Sequence, residues 1–351
     1  MMLQGHFIDT LLAIEYRDPD NIAYSTWLYF RGITAPVFFT ISGLIFTYLL
    51  IKAKEKGTLS VRIRKGLVRG LMLTGIGYAL RIPIFRWLTG SFGTYFLVID
   101  VLQCIGISLI LIVCIYLLTR KKTLVFSIIM LCLGTFIFLC EPLYRTYSAE
   151  GIPLFFANYV TKLNGSVFTI FPWFGYMAYG AFIATLFYGY LTRPKFKTGL
   201  ITGFFVTGLI LVYGSTPVFL ELAKLINWTL LTEVANFNYL FIRLGNVLVI
   251  FGLFYAFEDY LKQPVVLKIG QKTLSIYVIH FILLYGSFTG LGLNQILGKN
   301  LTPFEAVFGA ICFLISVSLI SIYIIKANTQ IYKYIIDKLH YLKSLTKSLN
   351  N

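Results

Sequence analysis

The sequence predicts an all-α fold: a polytopic helical membrane protein of about ten transmembrane helices, with both termini on the cytoplasmic side (N-in/C-in). Three observations carry this. Of 351 residues, 58% are hydrophobic and only 13% charged, too little polar surface to clothe a soluble fold of this length. Apolar runs of about 18 to 24 residues recur along the chain, the length a helix rising 1.5 Å per residue needs to cross roughly 30 Å of hydrocarbon. Lys and Arg, finally, concentrate in alternate connections. A closed β-barrel is excluded because its strands would read as short segments alternating in polarity.

In chain order the runs place helices near 1–16, 34–52, 67–86, 96–119, 123–142, 166–191, 198–215, 237–258, 272–289 and 303–326. The first is short and opens at Met1 and Met2 with no basic flank, so part of that helix is expected to be missing; it lacks the basic start and small-residue cleavage site of a signal peptide. Lys52, Lys54, Lys56, Arg62, Arg64, Lys65 and Arg69 follow the second run, Arg120 to Lys122 the fourth, Arg193, Lys195 and Lys197 the sixth, and Lys262, Lys268 and Lys272 the eighth. Five more lysines lie in the tail. Most of the 30 basic residues are therefore on the side that basic residues mark as cytoplasmic. Residues 1–330 read as one membrane domain, and 331–351 as a basic amphipathic tail, with Tyr332, Ile335, Ile336, Leu339 and Leu342 at helical spacing on the inner surface.

The net charge of +16 follows from that asymmetry rather than from a nucleic-acid site, and no nucleic-acid module is present. The five cysteines, Cys104, Cys114, Cys132, Cys140 and Cys312, all fall in apolar runs without CxxC spacing and read as packing residues. No pattern suggests a metal site, a GxxxxGK[ST] loop or a GxGxxG loop, which argues against ATP-driven transport and dinucleotide chemistry.

Polar groups inside spans are costly, so function is sought there. His6 lies about ten residues, roughly 15 Å, from the outer end of its run, and His280 about eight residues, roughly 12 Å, beyond Lys272. Both therefore reach a similar depth near the midplane. Each equally fits a hydrogen-bonded packing residue. Asp9, one turn beyond His6, could orient its imidazole, or could hold a helix contact. A second polar group gathers in the outer half: Asp100 with Gln103, Arg31 and Trp27, Arg81, and Arg243 with Asn246. A charge there needs a partner, so Asp100 is expected to pair with an arginine that the sequence alone does not choose; the group fits either a substrate pocket or a structural ion pair. On the inner side, Arg62, Arg64, Lys65 and Arg69 surround Gly66 and Gly70 and could hold phosphates, although the positive-inside bias alone produces such a cluster.

Five segments, taken in order, carry a family resemblance: QGHFIDTLL from Gln4, FRGITAPVFFTISG from Phe30, IDVLQCIGISLI from Ile99, FPWFGYMAYG from Phe171 and IGQKTLSIYVIH from Ile269 to His280. Together they resemble the transmembrane acyltransferase group that includes the heparan-alpha-glucosaminide N-acetyltransferase catalytic domain and its bacterial relatives. The resemblance implies transfer of an acyl group, acetyl above all, from cytoplasmic acyl-CoA to an extracytoplasmic saccharide or cell-surface acceptor, in the cytoplasmic (inner) membrane of a bacterium. It implies His6 as catalytic base or acyl carrier, with Asp9 beside it, His280 and Tyr277 in the pocket, and the Arg62 to Arg69 cluster on the phosphates of coenzyme A. Arg31, Asp100, Gln103, Trp173 and Arg243 are the remaining candidate pocket residues. Relatives place an acidic residue and an Arg-Gly pair before the histidine, and this chain begins after that point. Partners implied are the lipid bilayer, acyl-CoA and a saccharide; oligomeric state is left open, a homodimer included.

Pro36, Gly43, Pro83, Pro172 and Gly175 are expected to open a passage to the midplane. Outer aromatics such as Tyr24, Trp27, Tyr29, Trp87 and Tyr95 suit sugar stacking or the interfacial belt. The alternative function is a secondary transporter or lipid flippase, in which midplane His and outer Asp and Arg relay protons or bind substrate. A noncatalytic partner subunit is the third.

Overall fold

Each apolar run becomes a helix in the computed structural model, which describes residues 1–323. In order these are α1 (Met2–Leu11), α2 (Ile22–Glu55), α3 (Leu59–Leu80), α4 (Val101–Leu118), α5 (Thr123–Leu139), α6 (Ile170–Tyr190), α7 (Phe196–Ile226), α8 (Tyr239–Ala256), α9 (Thr273–Tyr285) and α10 (Pro303–Tyr323). The only β-type pairing among the described residues is an isolated parallel bridge between Leu12 and Leu301. The amphipathic tail expected at 331–351 lies outside the described residues.

Span length separates these helices into two groups. Six segments are long and apolar enough to cross a bilayer: α2, Thr94–Leu118 containing α4, α6, α7, α8 and α10. A seventh follows if Pro264–Gly270 and α9, bent by 63°, count as one. By length and composition, then, six or seven of the expected ten meet the requirement among the described residues. With ten residues, α1 reaches about 15 Å, half the hydrocarbon thickness. α5 has 17 residues, and α3 has the length but carries four basic residues in its first three turns.

Two compact units result, one from Met1–Asp18 with the chain from Asp259, the other Pro19–Glu258. In the larger unit, α2 starts a dozen residues before the expected boundary because Asn21 caps it, its side-chain oxygen accepting from the backbone N–H of Ala23 and Tyr24. Helix pairing then depends on small residues, since lipid supplies no hydrophobic drive between helices and close backbone approach must supply dispersion instead. A Cβ on Gly180 of α6 would fall 1.9 Å from the Thr40 carbonyl oxygen of α2, and one on Gly43 2.2 Å from that of Met177. Gly70 and Gly106 join α3 to α4 in the same way, and Gly208 and Gly245 join α7 to α8. Hydroxyl bonds add to the α5–α6 contact, Ser127 with Thr185 at 2.7 Å and Thr135 with Tyr179 at 2.9 Å. Gly43 and Gly175, expected to open a passage, are filled by Met177 and Phe138. Gly66 and Gly70, expected to admit phosphate, face Phe46 and Gly106.

The smaller unit is built on α1, α9 and α10. Phe7 of α1 meets Phe313 of α10 with ring centres 5.2 Å apart, over the bare face of Gly309. α10 begins in a capping box: Glu305 accepts from the Thr302 N–H at 2.9 Å while the Thr302 hydroxyl receives the Glu305 N–H, with Pro303 at the first helical position. α9 stops at Gly286, whose φ of +70° and close approach to Leu291 and Gly292 exclude a side chain.

Candidate active site

α1 is short, and its C-terminal carbonyls would be orphaned in a low-dielectric setting. Three are satisfied from outside the helix. Leu301 N–H donates to the Leu11 carbonyl at 3.0 Å, and the Arg17 guanidinium donates to the carbonyls of Asp9 at 2.7 Å and Leu12 at 2.8 Å. A cation at the negative end of the helix dipole is the favourable sign. The Arg17 side chain also lies 3.8 Å from the Asp9 carboxylate. Asp9, expected to orient His6, thus also meets Arg17, a residue the sequence reading did not single out.

With α1 so held, His6 faces α9. Its ring stacks on that of His280, centroids 5.2 Å apart and planes inclined by 29°. His280 is fully buried, and its Nδ1 lies 3.3 Å from the Ile276 carbonyl one turn back. Tyr277 meets the His280 ring edge-on at 5.0 Å. The depth arithmetic that set the two histidines at one level matches this contact. His6 Nδ1 lies 3.1 Å from the Tyr285 hydroxyl, which also receives the Thr10 hydroxyl at 3.4 Å. Tyr285 and Thr10 were not among the sequence candidates. The available signal was spacing: Thr10 is one turn past His6, and Tyr277, Phe281 and Tyr285 repeat every fourth residue along α9, beside His280. Phe281 packs on Tyr285 at 4.8 Å and fixes the phenol.

The other candidates belong to the larger unit, where most have local structural partners. Asp100 does pair with an arginine, and it is Arg81, at 2.9 Å. Asp100 is also the N-cap of α4: its carboxylate accepts from Val101 N–H at 2.8 Å and Gln103 accepts from Asp100 N–H at 3.2 Å, forming a capping box. Trp173 donates its indole N–H to the Val167 carbonyl and packs between Phe39 and Phe168. Arg243 lies over the Tyr239 ring at 5.1 Å and against Gly32, while Arg31 lies over Trp27 at 5.8 Å. Tyr29 donates to Asn246 at 2.9 Å, joining α2 to α8. Of the basic cluster on α3, Arg62 is half-buried with its guanidinium 5.7 Å from the Phe46 ring centre, and Arg64, Lys65 and Arg69 are exposed. Among the described residues no group of three His, Cys, Asp or Glu side chains could hold a metal ion.

Residues 1–221 match the family model described as heparan-alpha-glucosaminide N-acetyltransferase, catalytic. Comparison with curated proteins and with solved structures returns no match.

Proposed function

The chain belongs to the heparan-alpha-glucosaminide N-acetyltransferase catalytic family, a family of membrane acetyltransferases, and on that premise we propose that it transfers acetyl from cytoplasmic acetyl-CoA to an extracytoplasmic saccharide, with His6 as general base. The observation that carries this reading is the meeting of two histidines from opposite ends of the chain in one unit, one ring fully buried and the other held by a hydroxyl. Placing two imidazoles together is costly for packing alone and useful for proton transfer.

In the proposed reaction His6 Nε2 takes the proton of the acceptor amine or hydroxyl as that atom attacks the thioester carbonyl. The carbon–sulfur bond breaks, and the departing coenzyme A thiolate takes the proton from His6, leaving acetylated acceptor and free thiol. Arg62, Lys65 and Arg69, at i, i+3 and i+7 on one face of α3, are proposed to hold the coenzyme A phosphates, with Arg64 alongside. Tyr277 and His280 are proposed to line the acceptor pocket. A bacterial inner membrane is the proposed location, consistent with the basic cytoplasmic loops.

The test is label transfer from radioactive acetyl-CoA to a panel of amino sugars by purified protein in lipid nanodiscs. Acetylated sugar is expected, and His6→Ala should lower turnover by about 100-fold or more, the scale of general-base catalysis. Label that stays on the wild-type protein would make His6 a carrier rather than a base. Absence of transfer and of acetyl-CoA binding by wild type, with saturable sugar uptake instead, would establish the transporter alternative.

A further inference from the structure

We propose that Arg243, Lys162 and Asn246 bind the phosphate of an anionic bilayer lipid at the outer end of α8. The site lies wholly in the larger unit and does not depend on acetyl transfer. Arg243 is the fifth residue of α8, inside an apolar span. Its guanidinium makes no hydrogen bond and no ion pair among the described residues; it lies 5.1 Å from the Tyr239 ring centre and against Gly32 of α2. Three residues on, the Asn246 side-chain oxygen accepts from Tyr29, but its amide nitrogen is buried without an acceptor. Residues at i and i+3 share a helix face, so two donor groups on one face both call for an acceptor.

Lys162, in the loop before α6, adds a second cation. Desolvation by its surroundings lowers its ammonium below the usual lysine range, the Glu141 carboxylate opposes this, and the Arg243 guanidinium adds to it. Lys162 and Arg243 are thus within electrostatic reach of each other. Glu141 is engaged by Arg145, whose Nε donates to it at 2.9 Å, and by the Tyr239 phenol. Like charges gathered at the edge of a span are costly without a counterion.

Depth and neighbours select a lipid phosphate for that part. Helix side chains lean toward the N-terminus, which the basic-loop pattern makes the outer end of α8, so the Arg243 guanidinium rises one turn to the level of Tyr239. That level is the start of the span, where aromatic rings sit among headgroups. On the same face, further into the span, come Ile250, Leu253 and Phe254, the last two 42% and 60% exposed. The face therefore runs from donors to apolar surface, the order in which a lipid presents phosphate and chains. The unesterified oxygens of a phosphodiester suit the guanidinium fork and the amide together. A zwitterionic headgroup would bring its own cation beside Lys162, so a headgroup of net negative charge is preferred.

Native mass spectrometry of the full-length protein released from micelles counts bound lipids during titration with phosphatidylglycerol or phosphatidylcholine. Wild type should bind its first phosphatidylglycerol about tenfold more tightly than phosphatidylcholine, and Arg243→Gln should lose that preference. Lys162→Gln should weaken it about threefold, and Lys122→Gln, on an inner connection, should leave it unchanged. Asn246→Asp keeps the side-chain size and the acceptor for Tyr29 while giving Arg243 an internal carboxylate. It should lose the preference as Arg243→Gln does, yet raise the unfolding temperature of the lipid-free protein, so the test stands even if Arg243→Gln does not fold. Equal affinity of wild type for both lipids, or an unchanged preference in Asn246→Asp, overturns the proposal. So does stabilisation of lipid-free protein by inorganic phosphate with none by phosphatidylglycerol, which would assign the donors to a soluble anion.

Discussion

Replacing Asp100 separates two jobs that its carboxylate performs. It caps α4 through the Val101 N–H, and it neutralises Arg81, the side chains being 16% and 9% exposed. Exposed ion pairs contribute about 0.2–1 kcal/mol, whereas removing one partner of a fully buried pair costs about 3–5 kcal/mol. At this burial, and with the Tyr95 ring still 4.9 Å from the Arg81 guanidinium, loss of the charge should cost about 2–3 kcal/mol. The cap adds about 1 kcal/mol, and asparagine caps as well as aspartate does. Asp100→Asn should therefore destabilise by about 2–3 kcal/mol and Asp100→Ala by about 3–4 kcal/mol. Denaturant unfolding of the purified protein in micelles measures both, and an Arg81→Gln cycle isolates the pairwise part. Equal losses for Asn and Ala would refute the capping role; no loss with Asn would refute the pairing. A rise in KM at unchanged stability would return Asp100 to the substrate pocket.

Arg17→Ala should free the α1 carbonyls and cost about 1.5–3 kcal/mol, with Arg17→Lys recovering part, since one ammonium cannot reproduce the guanidinium fork; hydrogen exchange at the Leu12 and Ala13 amides reports it. Tyr144, between α5 and α6 and outside the spans, donates to the Ile137 carbonyl at 3.0 Å, and burial, helped by Tyr239 and the Glu141 carboxylate, pushes its phenol well above the usual range. The folded state thus keeps this proton to higher pH than the unfolded chain does. Its contribution is full below the unfolded tyrosine pKa of about 10 and is lost as pH rises above it. Tyr144→Phe should flatten that alkaline fall in stability, and an unchanged slope would assign the fall elsewhere.

The membrane class and all ten helical stretches were legible because apolar run length is a direct record of the solvent outside. Helix ends were less so, because they depend on where caps stop a helix: α1 ends at Leu11 and α9 at Gly286. His6 and His280 could be levelled by counting residues along each helix, since rise per residue is fixed. Rotation about each helix axis is not fixed by one chain, so the Tyr285 contact stayed hidden. Asp100 and Gln103 carried a signal of another kind. Their D-x-x-Q spacing before an apolar run is a capping-box signal, but weighing them as costly intramembrane polar groups passed over it. The glycines were read as openings, yet in lipid a missing side chain is most useful where two backbones touch.

The bond from Leu301 to Leu11 joins the first helix to the segment just before the last described one. At about 5–20 residues per second, a ribosome needs roughly 15 to 60 seconds between making these two positions. Throughout that interval the carbonyl end of α1 lacks its backbone partner, and for most of it His6 lacks both His280 and Tyr285. The histidine pair therefore assembles only late in synthesis, and a chain that stalls before α9 carries His6 without either contact.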